Sequence, residues 1–223
     1  MLHVDLSVLL PLRDSEGIVA PVVREAVEIA ASSLPAPAPE DGPHFEILAL
    51  DERSGDNTSS VLSVLHGQIP ELRTLQDLDR GTGLRVASRV ARGEIWLILD
   101  QPTQLDLAVW AVSQVVRGQP AAVVPGEILA VHRNLGNQVL GGLSGGLATA
   151  TRLTLSELKK RGQRAAMTPA SDSSQLAKTV TFLRGHAHLL GLAHLDRPSA
   201  LTRSEVAARL RARASTLRNR LLL

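Results

Sequence analysis

The sequence contains no cysteine and no tyrosine, and only two tryptophans and two phenylalanines in 223 residues. Without cysteine, disulfides, thiolate catalysis and Cys-based zinc sites are excluded. An aromatic content of 2% leaves almost no platforms for stacking sugars or bases. That counts against a carbohydrate-binding module and against a stacking-type single-strand binder. No run of about 18 apolar residues occurs, so no spanning helix is expected. No apolar segment follows a basic start, so no secretory leader is expected. The expected location is the cytoplasm. The net charge is only +2, and no nucleic-acid motif organises the arginines, so nucleic acid is not an expected partner.

What remains is a core of Leu, Val, Ile and Ala in a chain long enough for one α/β domain. The first 120 residues alternate between strand and helix patterns. Strands are predicted at Val4–Leu10 (ended by Pro11), Phe45–Leu50, Leu72–Leu75, Glu94–Leu99 and Ala121–Val124, each a short apolar run. Helices are predicted at Ile18–Ala31, Thr58–Leu65, Leu84–Ala91 and Leu105–Val116, where apolar residues recur at helical spacing. Leu34–Pro43 is too proline-rich for helix or ladder. Strands separated by helices of this length imply a mostly parallel, Rossmann-like sheet flanked by helices. In such a sheet ligands bind at the carboxyl ends of the strands.

Four polar clusters are candidates for chemistry: Pro11–Glu16, Asp51–Thr58, Gly81–Gly83 with Ala91–Glu94, and Asp100–Thr103. Three of them follow predicted strands. A nucleotide diphosphate sugar needs polar groups for the base and ribose. It also needs a divalent cation, held by carboxylates, that bridges the diphosphate and neutralises charge on the leaving group. Acids at neighbouring strand ends meet both needs. Each acid taken singly is equally explained as a helix cap.

In combination the clusters resemble the family 2 glycosyltransferases, and within them the polyprenyl-phosphate sugar synthase branch. The matching run is Asp51, Glu52, Arg53, Ser54, Gly55, Asp56, Asn57 and Thr58, in which only Arg53 clearly departs from the family pattern. Pro11 with Asp14 and Glu16 matches the family's first strand end, and Ala91-Arg-Gly-Glu94 before Ile95–Leu99 matches its run before the metal strand. The resemblance covers roughly residues 4–120, and more loosely His132–Asn137. It implies a GT-A fold over residues 1–200, with Pro11, Asp14, Asp51 and Glu52 at the nucleoside. It further implies Asp100 at a Mg²⁺ or Mn²⁺ ion and His132 or Arg133 at the diphosphate. The implied reaction moves a sugar from a nucleotide diphosphate sugar to a lipid-phosphate or hydroxyl acceptor.

Two departures bear on activity. Asp100-Gln-Pro102 has proline where the family has a second acid, although Asp106 lies a short way on. Gly141–Thr151, where the family carries its acceptor-activating aspartate, has no acid, and a flexible connector is expected at Gly141–Gly146. An inactive descendant acting as a binding or regulatory partner is therefore the alternative expectation. Further helices are predicted at Leu153–Arg161 and Gln175–Leu190. His186, His188 and His194 form a loose cluster. Residues 201–223 read as a basic amphipathic helix, with a Thr202–Glu205 capping box and an apolar stripe from Val206 to Leu221. This helix suits an anionic membrane surface, the protein core or a partner chain.

Overall fold

The computed structural model describes residues 4–34 and 44–168. The predicted helix at Gln175–Leu190, the histidine cluster and the basic helix at 201–223 lie outside the described residues. The described elements are β1 (Leu6–Leu12), α1 (Glu16–Ser33), β2 (Phe45–Asp51), α2 (Thr58–His66), β3 (Leu72–Leu75), α3 (Gly83–Val90), β4 (Ile95–Ile98), α4 (Leu105–Val116), β5 (Ala121–Val124), β6 (Ile128–His132), α5 (Arg133–Leu140), α6 (Leu147–Lys160) and β7 (Ala166–Met167). They form one seven-stranded sheet in the order β3-β2-β1-β4-β6-β5-β7. Only β6 runs against its neighbours. The architecture is α/β and mostly parallel, as the alternation of patterns predicts.

The sheet separates two apolar cores. On one face α1, α2 and α4 pack through Val19, Val23, Ala26, Leu62 and Val112 onto Leu6, Val8, Leu10, Ile47 and Leu97. On the other, α3, α5 and α6 pack through Leu84, Ala87, Leu135, Leu140 and Leu158 onto Leu9, Leu48, Trp96, Ile98 and Leu129. Strands buried on both faces read as continuous apolar runs, because neither side of the pleat meets water. Close packing on the second face depends on Gly136, where a Cβ would lie 2.5 Å from Trp96 Cε3.

Three sequence expectations need correction. First, β1 does not stop before Pro11 but runs through it to Leu12. Leu99 donates to the carbonyl of Leu9 and Glu52 to that of Leu12, so the odd residues of β1 face β4 and the even ones face β2. Pro11 therefore turns its missing N–H toward β4, whose pairing has already ended at Ile98 opposite Leu9, and no ladder bond is lost. Second, β6 and α5 form where the pattern seemed to weaken. Third, α6 begins at Leu147 rather than at Leu153. The glycine-rich stretch before it is pinned: the Gly145 N–H donates to Gly81 O at 2.8 Å, and Leu143 is buried. Among the described residues no helix is long and apolar enough to cross a membrane.

Candidate nucleotide-sugar site

The parallel strands bring the Pro11–Glu16, Asp51–Thr58 and Asp100–Thr103 segments to the same edge of the sheet. Between the first two lies a dense set of short hydrogen bonds. Asp14 accepts from Gly55 N–H at 2.7 Å, and its own N–H donates to Ser54 Oγ at 3.0 Å. Ser15 N–H donates to Thr58 Oγ1 at 2.8 Å, and Glu16 N–H donates to Asp56 Oδ2 at 2.9 Å. Glu16 accepts from the Asn57 side chain at 3.0 Å. Each loop thus satisfies the N–H groups at the start of the other's helix, a reciprocal form of N-capping. The Thr58 hydroxyl and the Glu16 N–H together hold the Asp56 carboxyl below its usual range.

Asp51, at the end of β2, is only 4% exposed. Its Oδ1 accepts from both the N–H and the hydroxyl of Ser54, at 3.1 and 2.5 Å. Its Oδ2 takes no hydrogen bond among the described residues. The neighbouring Glu52 is also buried, and both of its oxygens are engaged: Gly81 N–H donates to Oε2 at 2.7 Å and Gly83 N–H to Oε1 at 2.9 Å. Gly83 begins α3, so Glu52 places negative charge at the positive end of that helix. A Cβ on Gly83 would come within 2.9 Å of Glu52 Oε1, so glycine there is a condition of the cradle.

Backbone strain collects at this edge. Asp14, Arg53 and Asp77 are the non-glycine residues with positive φ among the described residues, at 47°, 53° and 58°. Each sits in a turn that follows a parallel strand. The left-handed region is costly for a side-chain-bearing residue and is common at ligand-binding turns. Arg53, the one departure from the family run, pairs with Asp79 at 2.9 Å, linking the turns after β2 and β3.

Asp100 follows β4 on the same edge. Its side chain reaches solvent, but the protein packed around the carboxyl removes water and pushes its pKa above the usual aspartate value. Pro102 and Asp106 are exposed nearby, the latter in the first turn of α4. No group of three acidic or histidine side chains able to hold a metal ion occurs among the described residues. The chain's own donors here do not make a closed cation site. Asp100 with phosphate oxygens and water is the donor set that Mg²⁺ commonly accepts.

His132 and Arg133 are not brought to this edge. Because β6 is antiparallel, His132 pairs with Ile95 at the start of β4. That is about 16 Å along the strand from Asp100. Its Nδ1 accepts from Asn134 N–H at 3.3 Å, and it lines an open cavity of ≈ 230 Å³ with Asn134 and Arg161. Arg133 bonds the carbonyl of Arg92 and faces Glu94. Neither residue reaches a diphosphate held at the opposite edge. What the antiparallel strand does bring to the Asp100 end is the Pro125–Glu127 turn, with half-buried Glu127. Its sequence signal, Pro-Gly between two apolar runs, was there to be read.

No protein-family model matches the sequence, and no curated protein matches it. Solved structures do. A mannosyltransferase from Pyrobaculum calidifontis, in complex with GDP-Man and Mn²⁺, superposes with a TM-score of 0.55 at 20% identity, covering 75% of this chain and 55% of that one. Residues 1–349 of TarS from S. aureus, in complex with UDP-GlcNAc, superpose with a TM-score of 0.50 at 16% identity, covering 68% and 52%. Glucosyl-3-phosphoglycerate synthase from Mycobacterium tuberculosis, in complex with UDP, gives 0.50 at 14% identity, covering 76% and 74%. The fold is that of the GT-A glycosyltransferases. The chain spans about half the length of the first two of these structures. In the GT-A frame, the acidic edge just described is the carboxyl edge of the parallel strands, where open α/β sheets hold their ligands.

Proposed function

We propose that this chain binds a nucleotide diphosphate sugar across the carboxyl ends of β1, β2 and β4 and takes part in glycosyl transfer. The observation that supports this best is the convergence of Asp14, Asp51, Glu52 and Asp100 on one edge of a GT-A sheet. In this reading Pro11 and Asp14 form one wall of the nucleoside site. Asp51 accepts from the base or ribose through Oδ2. Glu52, with both oxygens already engaged, shapes the site by fixing the start of α3. Asp100 is the remaining protein ligand for Mg²⁺ or Mn²⁺, which supplies charge neutralisation at the leaving diphosphate. The acceptor is a lipid phosphate or another hydroxyl compound. An ionised phosphate acceptor fits best, because it needs no general base and residues 141–151 supply none.

A second reading has a specific observation behind it. Pro102 offers no side-chain oxygen beside Asp100, which favours a chain that keeps nucleotide binding without transfer and serves a partner protein.

Calorimetric titration with UDP and GDP, each with and without Mn²⁺, separates the readings. Binding of one nucleotide is expected, weakened by about tenfold or more in Asp51→Ala through loss of a charge-assisted hydrogen bond. Metal-dependent binding that disappears in Asp100→Ala supports transfer. Binding indifferent to metal and to Asp100 favours the partner reading. Failure of both nucleotides to bind the folded protein would remove the donor site altogether.

A further inference from the structure

The two helix layers differ in charge. The layer of α1, α2 and α4 carries Glu16, Glu25, Glu28 and Asp106 against a single cation, Arg24. The layer of α3, α5 and α6 carries Arg85, Arg89, Arg133, Arg152, Lys159 and Lys160 against a single acid, Glu157. The chain as a whole is only +2, so the sheet segregates charge rather than carrying an excess of it. α3 packs beside α5 and α5 beside α6, so the basic side chains belong to neighbouring helices of one layer.

Few of these cations are neutralised. Glu157 is shared by Lys160 and Arg161, and Arg133 is paired with Glu94. Arg85, Arg89, Arg152 and Lys159 have no acidic partner among the described residues, and the last three are exposed. The three helices contain no aromatic residue, so the face has nothing on which bases could stack. Its apolar side chains are directed into the core against Trp96 and Leu129, so it offers no insertion wedge. What it offers is a field of positive charge, which matches the negative surface potential of an anionic bilayer.

We propose that the α3–α5–α6 layer docks electrostatically on an anionic lipid surface. This goes beyond the donor-site reading and does not depend on it. The layer begins beside the acidic edge, where the Glu52 cradle holds Gly83 and Gly145 bonds Gly81. Docking on this face therefore sets the edge next to the headgroups.

The test is co-sedimentation of the full chain with vesicles of phosphatidylcholine, alone or with about 30 mol% phosphatidylserine. Binding to the anionic vesicles only, declining as salt is raised, is expected. The variant Arg85→Glu, Arg89→Glu, Arg152→Glu, Lys159→Glu should bind about a hundredfold more weakly or worse. Arg209→Gln, Arg211→Gln, Arg213→Gln, Arg218→Gln, in the terminal segment, should retain most of the binding. Should the fourfold reversal fail to fold, Arg152→Gln with Lys159→Gln keeps the test, with an expected loss of about tenfold. The proposal is overturned if the wild-type chain stays in the supernatant, if only the terminal variant loses binding, or if duplex DNA displaces the chain from the vesicles and its binding shows the same dependence on these residues. Nucleotide titration of the same samples is independent of each of these outcomes.

Discussion

Gly136 and Asp100 illustrate two ways in which a single residue is fixed by its surroundings. Gly136 lies in α5 against the face of a fully buried tryptophan. Helix propensity favours alanine there by up to about 1 kcal/mol, but a Cβ would overlap Trp96 at 2.5 Å. Overpacking of that kind costs about 1–3 kcal/mol. Gly136→Ala should therefore lower the midpoint of thermal unfolding despite the better propensity, and an unchanged or raised midpoint would contradict the packing. At Asp100 the argument is electrostatic. Burial raises its pKa above the usual aspartate value, so ionised Asp100 works against folding. Below the unfolded pKa both states are protonated and the penalty is absent; it sets in as pH rises through the folded value. Asp100→Asn should thus be more thermostable than the parent at about pH 7 and no more stable at about pH 3. Equal midpoints at both would show that the carboxyl is not desolvated.

At the level of elements, α1 is held at its start by the turn before α2, and α2 both by Glu16 of α1 and by Asp56 of its own turn, which accepts from Thr58 N–H at 3.0 Å. Neither N-cap side chain makes a capping bond. Thr58 is the pivot, fully buried, accepting from Ser15 N–H and donating to Asp56. Thr58→Val keeps the shape and removes both bonds, leaving a buried N–H unpaired at a cost of about 1–3 kcal/mol. Denaturant unfolding should register a loss of that size, and Thr58→Ser should recover much of it. A sequence reading finds Asp51–Thr58 as a cluster, because acid, glycine and hydroxyl residues follow directly on an apolar run. It does not find that Ser54, Asp56 and Thr58 serve the neighbouring loop, since those partners lie some forty residues away. The same blindness explains β6. Ile128–Val131 is an apolar run as clear as Ala121–Val124, but an expectation of crossovers leaves no place for a tight hairpin between them. Assigning His132 and Arg133 to the diphosphate follows from that omission, because the direction of β6 decides which edge they occupy.

For the molecule as a whole, the alternation of apolar runs and amphipathic stretches was sufficient to read an α/β chain with a mostly parallel sheet, and the turn clusters were sufficient to read which acidic segments share one edge of it. Strand order was not legible, nor was the division of the helices into two faces. Charge segregation depends on that division. Along the sequence, acidic α1 and α4 alternate with basic α3 and α6, so no single window of residues shows that α3 and α6 share a layer. Only the topology sorts them. The interior position of β1, between β2 and β4, has a further consequence, for how the chain is made. β1 leaves the ribosome before both of its sheet neighbours, and its ladder with β4 closes only when residues 95–98 emerge. At ordinary elongation rates that is a delay on the order of ten seconds. Throughout that interval a strand destined to be covered on both faces has at least one open edge and an apolar surface, which makes Leu6–Leu12 a segment for a chaperone to shield while the chain is being born.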